Sequence, residues 1–380
     1  MMHNTNIVFI GRPSFPIGNA MCKRHKYYID FLTTIPNISI CHINTWNTNN
    51  INPTSGLYKD SVKFYNTNLP KSLLSITSIA NTTNKILENR FCKDCRNIVI
   101  FCSFFTLEQI PIVLKAKQLG YKIICDVVEN YDASGSNMSK QMKIAYLISK
   151  YFLYKNVDGF IAISNGIYNQ YTKYKKPILI LTNSAPIKHI SQKAQFSSPM
   201  RIIYTGTYAP KDGLIYLLEG FNKLTKREGN IAELILIGRE NGITTQMKHI
   251  ISQNKHIKQL GYVSDEILAD LQLSADLLCM TRCNSNFANY GFPFKLSEYM
   301  ATGNTILATA VGDVPIYIKN KINGLLIPPN NSEAIYEAIK YAYNNQKECI
   351  QMGKNGLNTI KESFDVEKNG LSLLNFINSI

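Results

Sequence analysis

Short apolar segments alternate with helix-length segments along the chain, and this pattern starts twice. In the first half the apolar runs are residues 7–10, 98–101, 122–125, 159–163 and 178–181. After a segment rich in Ser, Gln and Lys the pattern restarts, with runs at residues 202–206, 234–238, 275–279 and 305–309. Apolar strands separated by helices are typical of parallel sheets covered on both faces. The sequence therefore predicts an α/β fold with two doubly wound, Rossmann-like domains that face a central cleft.

The length of the chain agrees with two domains. A chain of 380 residues is too long for one ordinary hydrophobic core. We predict an N-terminal domain at 1–190, a linker at 191–200, a second domain at 201–360 and a C-terminal helix at 361–380 that can pack back on the first domain. In such sheets ligands bind beyond the carboxyl ends of the strands, so the loops after strands are the first candidates for function.

The ends of the chain and its cysteines predict a cytoplasmic protein. No apolar run approaches the roughly 18 residues of a membrane span, and the polar residues 1–6 lack the apolar core of a secretory signal. Nine cysteines at mostly apolar positions are typical of a reducing compartment. Cys92 and Cys95 form the only pair with metal or redox spacing, and we expect ordinary packing there rather than zinc.

The positive charge is concentrated in the first half of the chain. Residues 1–190 hold 22 basic and 9 acidic residues, a net charge of +13, whereas residues 191–380 hold 19 and 17, a net charge of +2. An AT-rich genome would enrich lysine but would not explain the asymmetry. A basic surface attracts an anionic membrane or nucleic acid, and no nucleic-acid binding motif is present. The prediction is peripheral contact between the N-terminal half and an anionic membrane, without nucleic acid.

Residues 139–155 mix lysines with apolar residues at helical spacing, and two interpretations are open. A basic amphipathic helix can lie on an anionic membrane. In a doubly wound domain the apolar stripe would instead cover the sheet and leave the lysines in water. Because a strand follows immediately, the second interpretation is favoured.

The segment 291–303, Gly-Phe-Pro-Phe-Lys-Leu-Ser-Glu-Tyr-Met-Ala-Thr-Gly, predicts a ligand site. A helix would begin after its Gly/Pro loop, so the backbone amides of Phe294, Lys295 and Leu296 would lie at the positive end of the helix dipole. Glu298, about one turn further along, could accept hydrogen bonds from a diol. Together they fit a diphosphate joined to a ribose.

Residues 290–330 resemble the donor-binding half of glycosyltransferase family 4. The resemblance rests on that helix, the strand Thr305–Thr309, Val-Gly-Asp at 311–313 and Asn-Gly-Leu-Leu-Ile-Pro-Pro at 323–329. It implies a retaining, sugar-nucleotide-dependent enzyme of GT-B fold. The family has two glutamates eight positions apart; Glu298 matches the second, which holds the ribose, and Tyr290 occupies the position of the first. A bacterial subgroup with Phe-Pro-x-Lys-Leu-x-Glu-Tyr is the nearest pattern.

The loop at 205–213 carries further candidates. In the family it supplies an Arg and a Lys to the diphosphate; Lys211 matches the Lys, and Thr207 stands at the position of the Arg. Arg282 or Lys295 could replace the missing cation, and Arg282 is preferred because a guanidinium pairs well with phosphate oxygens. Arg239 is a weaker candidate. The Gly-Tyr-Val sequence at 261–263 resembles the family's loop that meets the nucleotide base.

Two loops of the first half are also candidates. Gly18, in the loop 11–20, matches a family glycine that lies against the donor, although a plain strand-to-helix turn explains it equally well. Asp126, Glu129 and Asp132 follow a buried strand. We expect Glu129 to position the acceptor hydroxyl or to act as a base, while helix capping explains the two aspartates equally well.

The resemblance implies a complete reaction. A sugar would pass with retention from a nucleotide-sugar to a hydroxyl of a saccharide, in the family commonly lipid-linked and part of a capsule, lipopolysaccharide or exopolysaccharide. Lys211, Arg282 and Glu129 are the predicted catalytic residues. No cofactor and no metal are expected, since the sequence has no Asp-x-Asp pair. A catalytically silent partner subunit and a sugar-nucleotide epimerase are the alternatives.

Overall fold

The structure, a computed structural model, describes residues 4–12, 14–18, 20–47, 52–68, 73–102, 107–130, 140–187 and 193–380. The chain divides into two compact units. Unit 1 comprises Met1–Ser184 and Val366–Ile380, and unit 2 comprises Ala185–Asp365. The boundary after Ser184 precedes the linker predicted at 191–200, whose first two residues lie outside the described ones.

Unit 1 begins with alternating strands and helices. Its elements up to residue 184 are β1 (Thr5–Gly11), α1 (Ala20–Leu32), β2 (Ile38–Asn47), β3 (Ser55–Tyr58), β4 (Val62–Asn68), α2 (Leu73–Arg90), β5 (Arg96–Cys102), α3 (Gln109–Leu119), β6 (Lys122–Val127), α4 (Lys140–Asn156), β7 (Gly159–Ala162), α5 (Asn165–Tyr171) and β8 (Ile178–Ile180).

The strands of unit 1 form an eight-stranded sheet in the order β3-β4-β2-β1-β5-β6-β7-β8. The pairs are parallel apart from β3 and β4, which form an antiparallel edge. The strand β1 is buried along its whole length because helices cover both faces of the sheet. The strand order reverses at β1, so the carboxyl ends of β1 and β5 are the place where this sheet can hold a ligand.

Unit 2 repeats the alternation. Its elements are β9 (Met200–Thr205), α6 (Leu214–Glu228), β10 (Ala232–Ile237), α7 (Thr245–Gln253), β11 (Ile257–Gly261), α8 (Asp265–Ser274), β12 (Leu277–Met280), α9 (Asn286–Tyr290), α10 (Phe294–Met300), β13 (Thr305–Thr309), α11 (Val314–Tyr317), β14 (Leu325–Ile327), α12 (Ser332–Asn344) and α13 (Gln346–Thr359). A short 3-10 helix, Pro210–Asp212, precedes α6, and a π-helical turn, Ile360–Phe364, follows α13.

The six strands of unit 2 are parallel, in the order β11-β10-β9-β12-β13-β14. The order reverses between β9 and β12, which places the crevice of this sheet at the ends of those two strands. The predicted α/β class with two doubly wound, mainly parallel sheets is confirmed.

The chain returns to unit 1 through α14 (Val366–Ser379). This helix packs on α1 so closely that a Cβ atom on Gly370 would lie 2.2 Å from the Phe31 ring. Arg96 donates to the carbonyl oxygen of Ile377 (3.1 Å). The C-terminal segment therefore completes the core of unit 1.

The sequence analysis missed β2, β3 and β4. Asn and Thr interrupt β2 and β4, and β3 has only four residues, so none of the three strands forms a clear apolar run. Ile40, Cys41 and Ile43 of β2 are nevertheless buried, because β2 lies between β1 and β4. These residues form strands because of their position within the sheet rather than because of their composition.

The face of α4 that meets the sheet is not the predicted one. Tyr146, Leu153 and Tyr154 are buried, whereas the apolar stripe at residues 144–152 lies in solvent. The expectation that this stripe covers the sheet is therefore wrong, because the helix is rotated so that its tyrosines pack inwards. Residue 139, predicted as the start of this helix, lies outside the described residues.

Cys92 and Cys95 are joined by a disulfide in the turn between α2 and β5. The sequence interpretation of this pair as ordinary packing is wrong. The turn is held by Asn97, whose side chain accepts from the Cys92 amide (3.1 Å) and donates to the Cys92 carbonyl (2.7 Å).

Within the described part of the chain, none of the helices combines the length and the hydropathy that a membrane span requires.

Candidate functional site

The ends of β9 and β12 approach closely because glycines replace side chains there. Gly213 has φ +64°, and a Cβ atom on it would lie 1.9 Å from the Thr281 carbonyl oxygen. Gly238, at the end of β10, has φ +136°, and its Cβ would lie 2.0 Å from the Gly206 oxygen. Only glycine permits these contacts. The loop after β9 is therefore pressed against the chain that leaves β12.

The loop after β9 is held by hydrogen bonds. The Tyr204 hydroxyl donates to the Thr207 carbonyl oxygen (2.7 Å), and the Thr207 hydroxyl donates to Asp212 Oδ2 (3.2 Å). The Cys283 amide donates to the Lys211 carbonyl oxygen (3.0 Å). Thr207 is exposed, at the position where the family pattern has an arginine. In this chain the threonine orders the loop through Asp212.

Lys295 reaches into this loop from α10. Its Nζ lies 3.8 Å from Asp212 Oδ1 and 4.6 Å from the centre of the Tyr204 ring. A Cβ atom on Gly206 would lie 2.8 Å from Nζ, so this glycine makes room for the ammonium group. The Lys295 side chain is 14% exposed.

Three cations act on one another at this point. Burial lowers the pKa of Lys295, the Asp212 carboxylate raises it, and the Arg282 and Lys211 cations lower it again; the pKa ends below its ordinary value. Arg282 is buried directly after β12, where the Thr309 hydroxyl donates to its carbonyl oxygen (2.7 Å). Lys211 lies with Nζ 4.7 Å from the centre of the Phe287 ring. A cluster of cations of this kind favours the binding of an anion.

Glu298 shares a face of α10 with Lys295. Residues three apart are neighbours on a helix surface, and Glu298 is half-buried while Leu296, Tyr299 and Met300 enter the core. The Tyr299 hydroxyl fixes the helix against β9, because it accepts from the Thr205 amide (2.9 Å). The Glu298 charge raises the pKa of Lys295 and therefore acts on the cation cluster.

One of the three backbone donors predicted for the anion site at the start of α10 is already used within the protein, and the Phe294 and Lys295 amides stay a prediction. The Leu296 amide donates to the Pro293 carbonyl oxygen (3.1 Å), so the protein already uses this donor, and the Leu296 side chain is core. The helix, Phe294–Met300, has only seven residues, and its dipole is correspondingly small. Positive charge at this edge of the sheet comes from the side chains of Lys211, Arg282 and Lys295.

The neighbouring strand ends carry a second feature. Arg239 follows β10, and its guanidinium lies 5.2 Å from the centre of the Tyr262 ring. Tyr262 follows Gly261, which has φ +68°, and is 70% exposed. Arg239 thus contacts the Gly-Tyr-Val loop rather than the Lys295 cluster.

The candidates of the first half of the chain lie in unit 1. A Cβ atom on Gly18 would lie 2.5 Å from the Ser14 carbonyl oxygen and 2.8 Å from Cys22 Cβ, so packing within the loop explains the glycine. The same loop is held by Asn52, which accepts from the Ile17 amide (3.0 Å), and by Asn66, which donates to the Phe15 carbonyl oxygen (2.8 Å). The sequence analysis missed both asparagines.

The three carboxylates at the carboxyl end of β6 differ, and Asp126 is a residue of the strand itself. Asp126 is buried and accepts two hydrogen bonds from Arg24, which the sequence analysis did not single out. Its interpretation as a helix cap is therefore wrong. Asp132 lies outside the described residues. Glu129 remains half-buried at the strand end, near the buried Cys102 thiol, whose pKa is raised first by burial, then by the Asp126 charge and to a smaller extent by Glu129.

Among the described residues, no group of three or more His, Cys, Asp and Glu side chains is placed to bind a metal ion.

Known proteins resemble this chain in sequence over unit 2 and in fold over its whole length. Residues 187–359 match the model of the glycosyl transferases group 1 family. An uncharacterised glycosyltransferase of Methanocaldococcus jannaschii is 22% identical over 161 residues, which are 39% of this chain and 40% of that relative's length.

Two solved structures show the same fold. HepE from Anabaena, in complex with UDP, covers 99% of this chain and 100% of its own at 13% identity, with a TM-score of 0.71. The lipopolysaccharide outer core galactosyltransferase WaaB covers 99% of both chains at 17% identity, with a TM-score of 0.66. On these comparisons the chain has the GT-B fold, and its residues 187–359 are similar to the glycosyl transferases of group 1.

Proposed function

We propose that this protein transfers a sugar, with retention of configuration, from a uridine diphosphate sugar to a hydroxyl of a lipid-linked saccharide during surface polysaccharide synthesis. The observation that carries the proposal is that Lys295, 3.8 Å from Asp212 at the ends of β9 and β12, is also within the electrostatic influence of the Lys211 and Arg282 cations. HepE has been solved with UDP and with UDP-glucose, and WaaB is a lipopolysaccharide transferase by its description. These two relatives support the donor class and the pathway.

The cluster fits a diphosphate better than a neutral ligand. Burial is the main reason that the pKa of Lys295 is lowered; the Arg282 and Lys211 cations lower it further, while Asp212 and Glu298 raise it. An anion bound among the three cations would reduce their mutual repulsion. When the sugar leaves, negative charge grows on the diphosphate, and cations that are already in place stabilise that charge without reorganisation. In this proposal side chains neutralise the leaving group, so no metal is needed.

Glu298 is assigned to the ribose. It lies on the face of α10 that carries Lys295, so a ligand with its diphosphate at Lys295 would bring its ribose hydroxyls along the helix. A carboxylate accepts two such hydrogen bonds in a charge-assisted arrangement. The base would then lie towards the Gly-Tyr-Val loop, where Tyr262 is exposed.

The remaining predicted roles belong to the same proposal. Glu129 positions the acceptor hydroxyl or accepts its proton, and Gly18 lies against the donor. Contact of the basic N-terminal half with an anionic membrane, at the inner face of the cell membrane, would bring the enzyme to a lipid-linked acceptor.

The first test is ligand binding by thermal shift. A ligand that binds only the native state raises the melting midpoint, and we expect UDP and a UDP-sugar to do so. Glu298→Ala should weaken UDP binding by about 1.5 to 3 kcal/mol if its bonds to the ribose are charge-assisted. The matched control is Glu337→Ala, since Glu337 is an exposed glutamate of α12 in the same unit.

The outcomes separate the proposal from its alternatives. Equal UDP affinity of wild type and Glu298→Ala would remove the ribose assignment. Donor binding without transfer to any saccharide acceptor would indicate a silent partner, and conversion of the donor without an acceptor would indicate an epimerase. The configuration of the product's anomeric carbon, measured by NMR, tests retention directly.

A further inference from the structure

The helix α4 exposes an apolar stripe that nothing in the described structure covers. Of the sixteen large hydrophobic side chains exposed in the described part of the chain, five lie on this one helix: Ile144, Leu147, Ile148, Tyr151 and Phe152. Their spacing of three and four residues puts them on one face. Leu147 is 59% exposed and Tyr151 is 62% exposed. Soluble surfaces seldom carry such a contiguous patch without a binding role.

The opposite face of α4 fixes this orientation. Tyr154 packs edge-on against Phe160 and Tyr171, and its hydroxyl lies 2.7 Å from that of Tyr171. Leu153 and Ser149 are also buried. Turning the stripe inwards would bring these side chains into water, so the exposed stripe is a consequence of good packing on the other side.

Lysines lie at both ends of the stripe and along one of its flanks, and the helix has no acidic residue. At about 100° per residue, Lys140 and Lys155 lie in line with the two ends of the stripe, while Lys143 and Lys150 lie along one flank. Lys155 Nζ lies 4.0 Å from the centre of the Tyr151 ring. Residues 140–187 contain seven lysines and one acid, Asp158, and that acid is paired with Lys117 (2.7 Å).

This combination specifies the occupant. Aliphatic and aromatic side chains on one face, with lysines at its edges, are the features of a helix that lies in the headgroup region of an anionic bilayer. Lysine stems can follow the apolar surface while the ammonium groups reach lipid phosphates. A protein partner would have to supply both an apolar groove and matching acids, whereas an anionic phospholipid surface supplies both chemistries at once.

We propose that α4 docks unit 1 on an anionic phospholipid bilayer, with the stripe 144–152 in the interfacial layer and the lysines at the headgroups. The proposal deepens the membrane contact of the proposed function by naming its surface, and it rests on that function for its biological purpose. The binding itself needs neither donor nor transfer, so the two can be tested separately.

The test is cosedimentation of the full-length protein with sucrose-loaded vesicles of equal parts phosphatidylglycerol and phosphatidylcholine. Vesicles of pure phosphatidylcholine are the reference. Leu147→Gln/Tyr151→Gln should lower the partition coefficient for the anionic vesicles by about tenfold or more. The matched control is Leu57→Gln/Leu371→Gln, which changes two equally exposed side chains of unit 1.

A second pair of variants tests the charges. Lys143→Gln/Lys155→Gln should lower binding by about tenfold or more at low salt, and added salt should weaken the wild type in the same direction. Lys85→Gln/Lys93→Gln removes the same charge from exposed positions elsewhere in unit 1 and should leave most of the binding in place.

Three outcomes of the vesicle experiments would overturn the docking proposal. Wild type that binds neutral and anionic vesicles equally, or an α4 apolar variant that binds as well as wild type, contradicts it. Absent vesicle binding together with self-association that Leu147→Gln/Tyr151→Gln abolishes would assign the stripe to a second copy of the chain. The UDP-induced thermal shift is measured on the same preparations, so a retained shift shows that only the docking has failed. Vesicle binding without a UDP shift would leave docking intact and refute the donor site.

Discussion

Two regions of this molecule bury a cation beside an aspartate, and they satisfy it differently. In unit 1, Arg24 donates to both oxygens of Asp126 (2.9 and 3.0 Å), to the carbonyl oxygens of Leu181 and Thr182 (2.7 and 3.0 Å) and to Asn183 Oδ1 (3.2 Å). The pair is fully enclosed. In unit 2, Lys295 lies 3.8 Å from Asp212, and Arg282 and Lys211 add positive charge to the same place.

The difference separates a structural ion pair from a binding site. The Arg24 guanidinium donates its hydrogen bonds to groups of its own unit, and these bonds connect α1 to the ends of β6 and β8. The unit 2 cluster brings cations together at a strand edge where ligands bind in sheets of this kind. Removing a cation that stabilises the fold should lower the free energy of unfolding. Removing a cation that binds a ligand should lower the affinity for that ligand.

The largest expected effect is on the fold. Arg24→Met leaves the Asp126 carboxylate buried without its main partner, and we expect a loss of about 3 to 5 kcal/mol in the free energy of unfolding. Thermal melting and hydrogen exchange of the α1 and β6 amides measure it. Arg24→Met/Asp126→Leu removes both charges and should regain part of the loss. A melting midpoint of Arg24→Met equal to wild type would contradict the structural role.

Lys295→Met should affect UDP affinity more than stability, the opposite of Arg24→Met. Replacing a nearly buried ammonium by an apolar side chain of similar length should change the melting midpoint little, because burial already lowers the pKa of Lys295. The affinity for UDP should fall by about 1.5 to 3 kcal/mol, the value of a hydrogen bond to a charged group. Lys248→Met, at an exposed position of α7, is the matched control. A variant that loses stability but keeps UDP affinity would place Lys295 with the structural cations.

Acid should act on unit 1 through a buried histidine pair. His25 Nδ1 lies 3.1 Å from His42 Nε2, and Phe15 stacks on His42 at 4.4 Å. Burial, and then the Arg24 charge, lower the pKa of His25 from 6.5 to about 3. Between these values the unfolded chain binds more protons, so the free energy of unfolding falls as the pH falls below about 6.5. The loss from His25 between pH 7 and pH 5 is about 2 kcal/mol.

Chemical denaturation at several pH values measures this slope. His25→Gln should reduce the slope, and His249→Gln, at an exposed position of unit 2, should leave it unchanged. Hydrogen exchange would locate the effect in β1, α1 and β2. An unchanged slope in His25→Gln would mean that other groups govern acid sensitivity.

The smallest expected effect is at Lys211, and it concerns rate. If Lys211 meets charge mainly in the transition state, Lys211→Ala should lower kcat by about tenfold while donor affinity changes less. Steady-state kinetics alongside UDP titration separate the two. Equal kcat in the variant would make Lys211 a loop residue whose contact with Phe287 is its only role.

The candidate residues of unit 2 were found from sequence because each lies in a short local pattern that can be recognised without its distant partners. Lys295 and Glu298 sit on one short helix, and Lys211 follows a recognisable strand. Helical geometry then places the first two on one face without further information. The partnership of Lys295 with Asp212 was not predictable, since 83 residues separate them and only the order of β9, β12 and α10 brings them together.

The candidates of unit 1 were harder to find for the same reason. Arg24 and Asp126 are 102 residues apart. Taken alone, Arg24 could be a solvent-exposed basic residue on a helix, and Asp126 could be a helix cap. His25 and His42 also have no shared local pattern. Asn52 and Asn66 stood in a stretch without periodicity, yet both hold the loop that contains Gly18.

The sequence by itself determined the alternation of strands and helices, the two units it implies, and the loops at strand ends where charged residues gather. These follow from local hydrophobic spacing, which needs only neighbours in the chain. Only the tertiary structure decided which face of α4 is exposed and which aspartate pairs with Arg24. It also decided that Cys92 and Cys95 form a disulfide and that Lys295 lies near Asp212. The exposed face of α4 and the two ion pairs depend on packing between residues that are distant in sequence, which the local spacing of apolar residues does not predict.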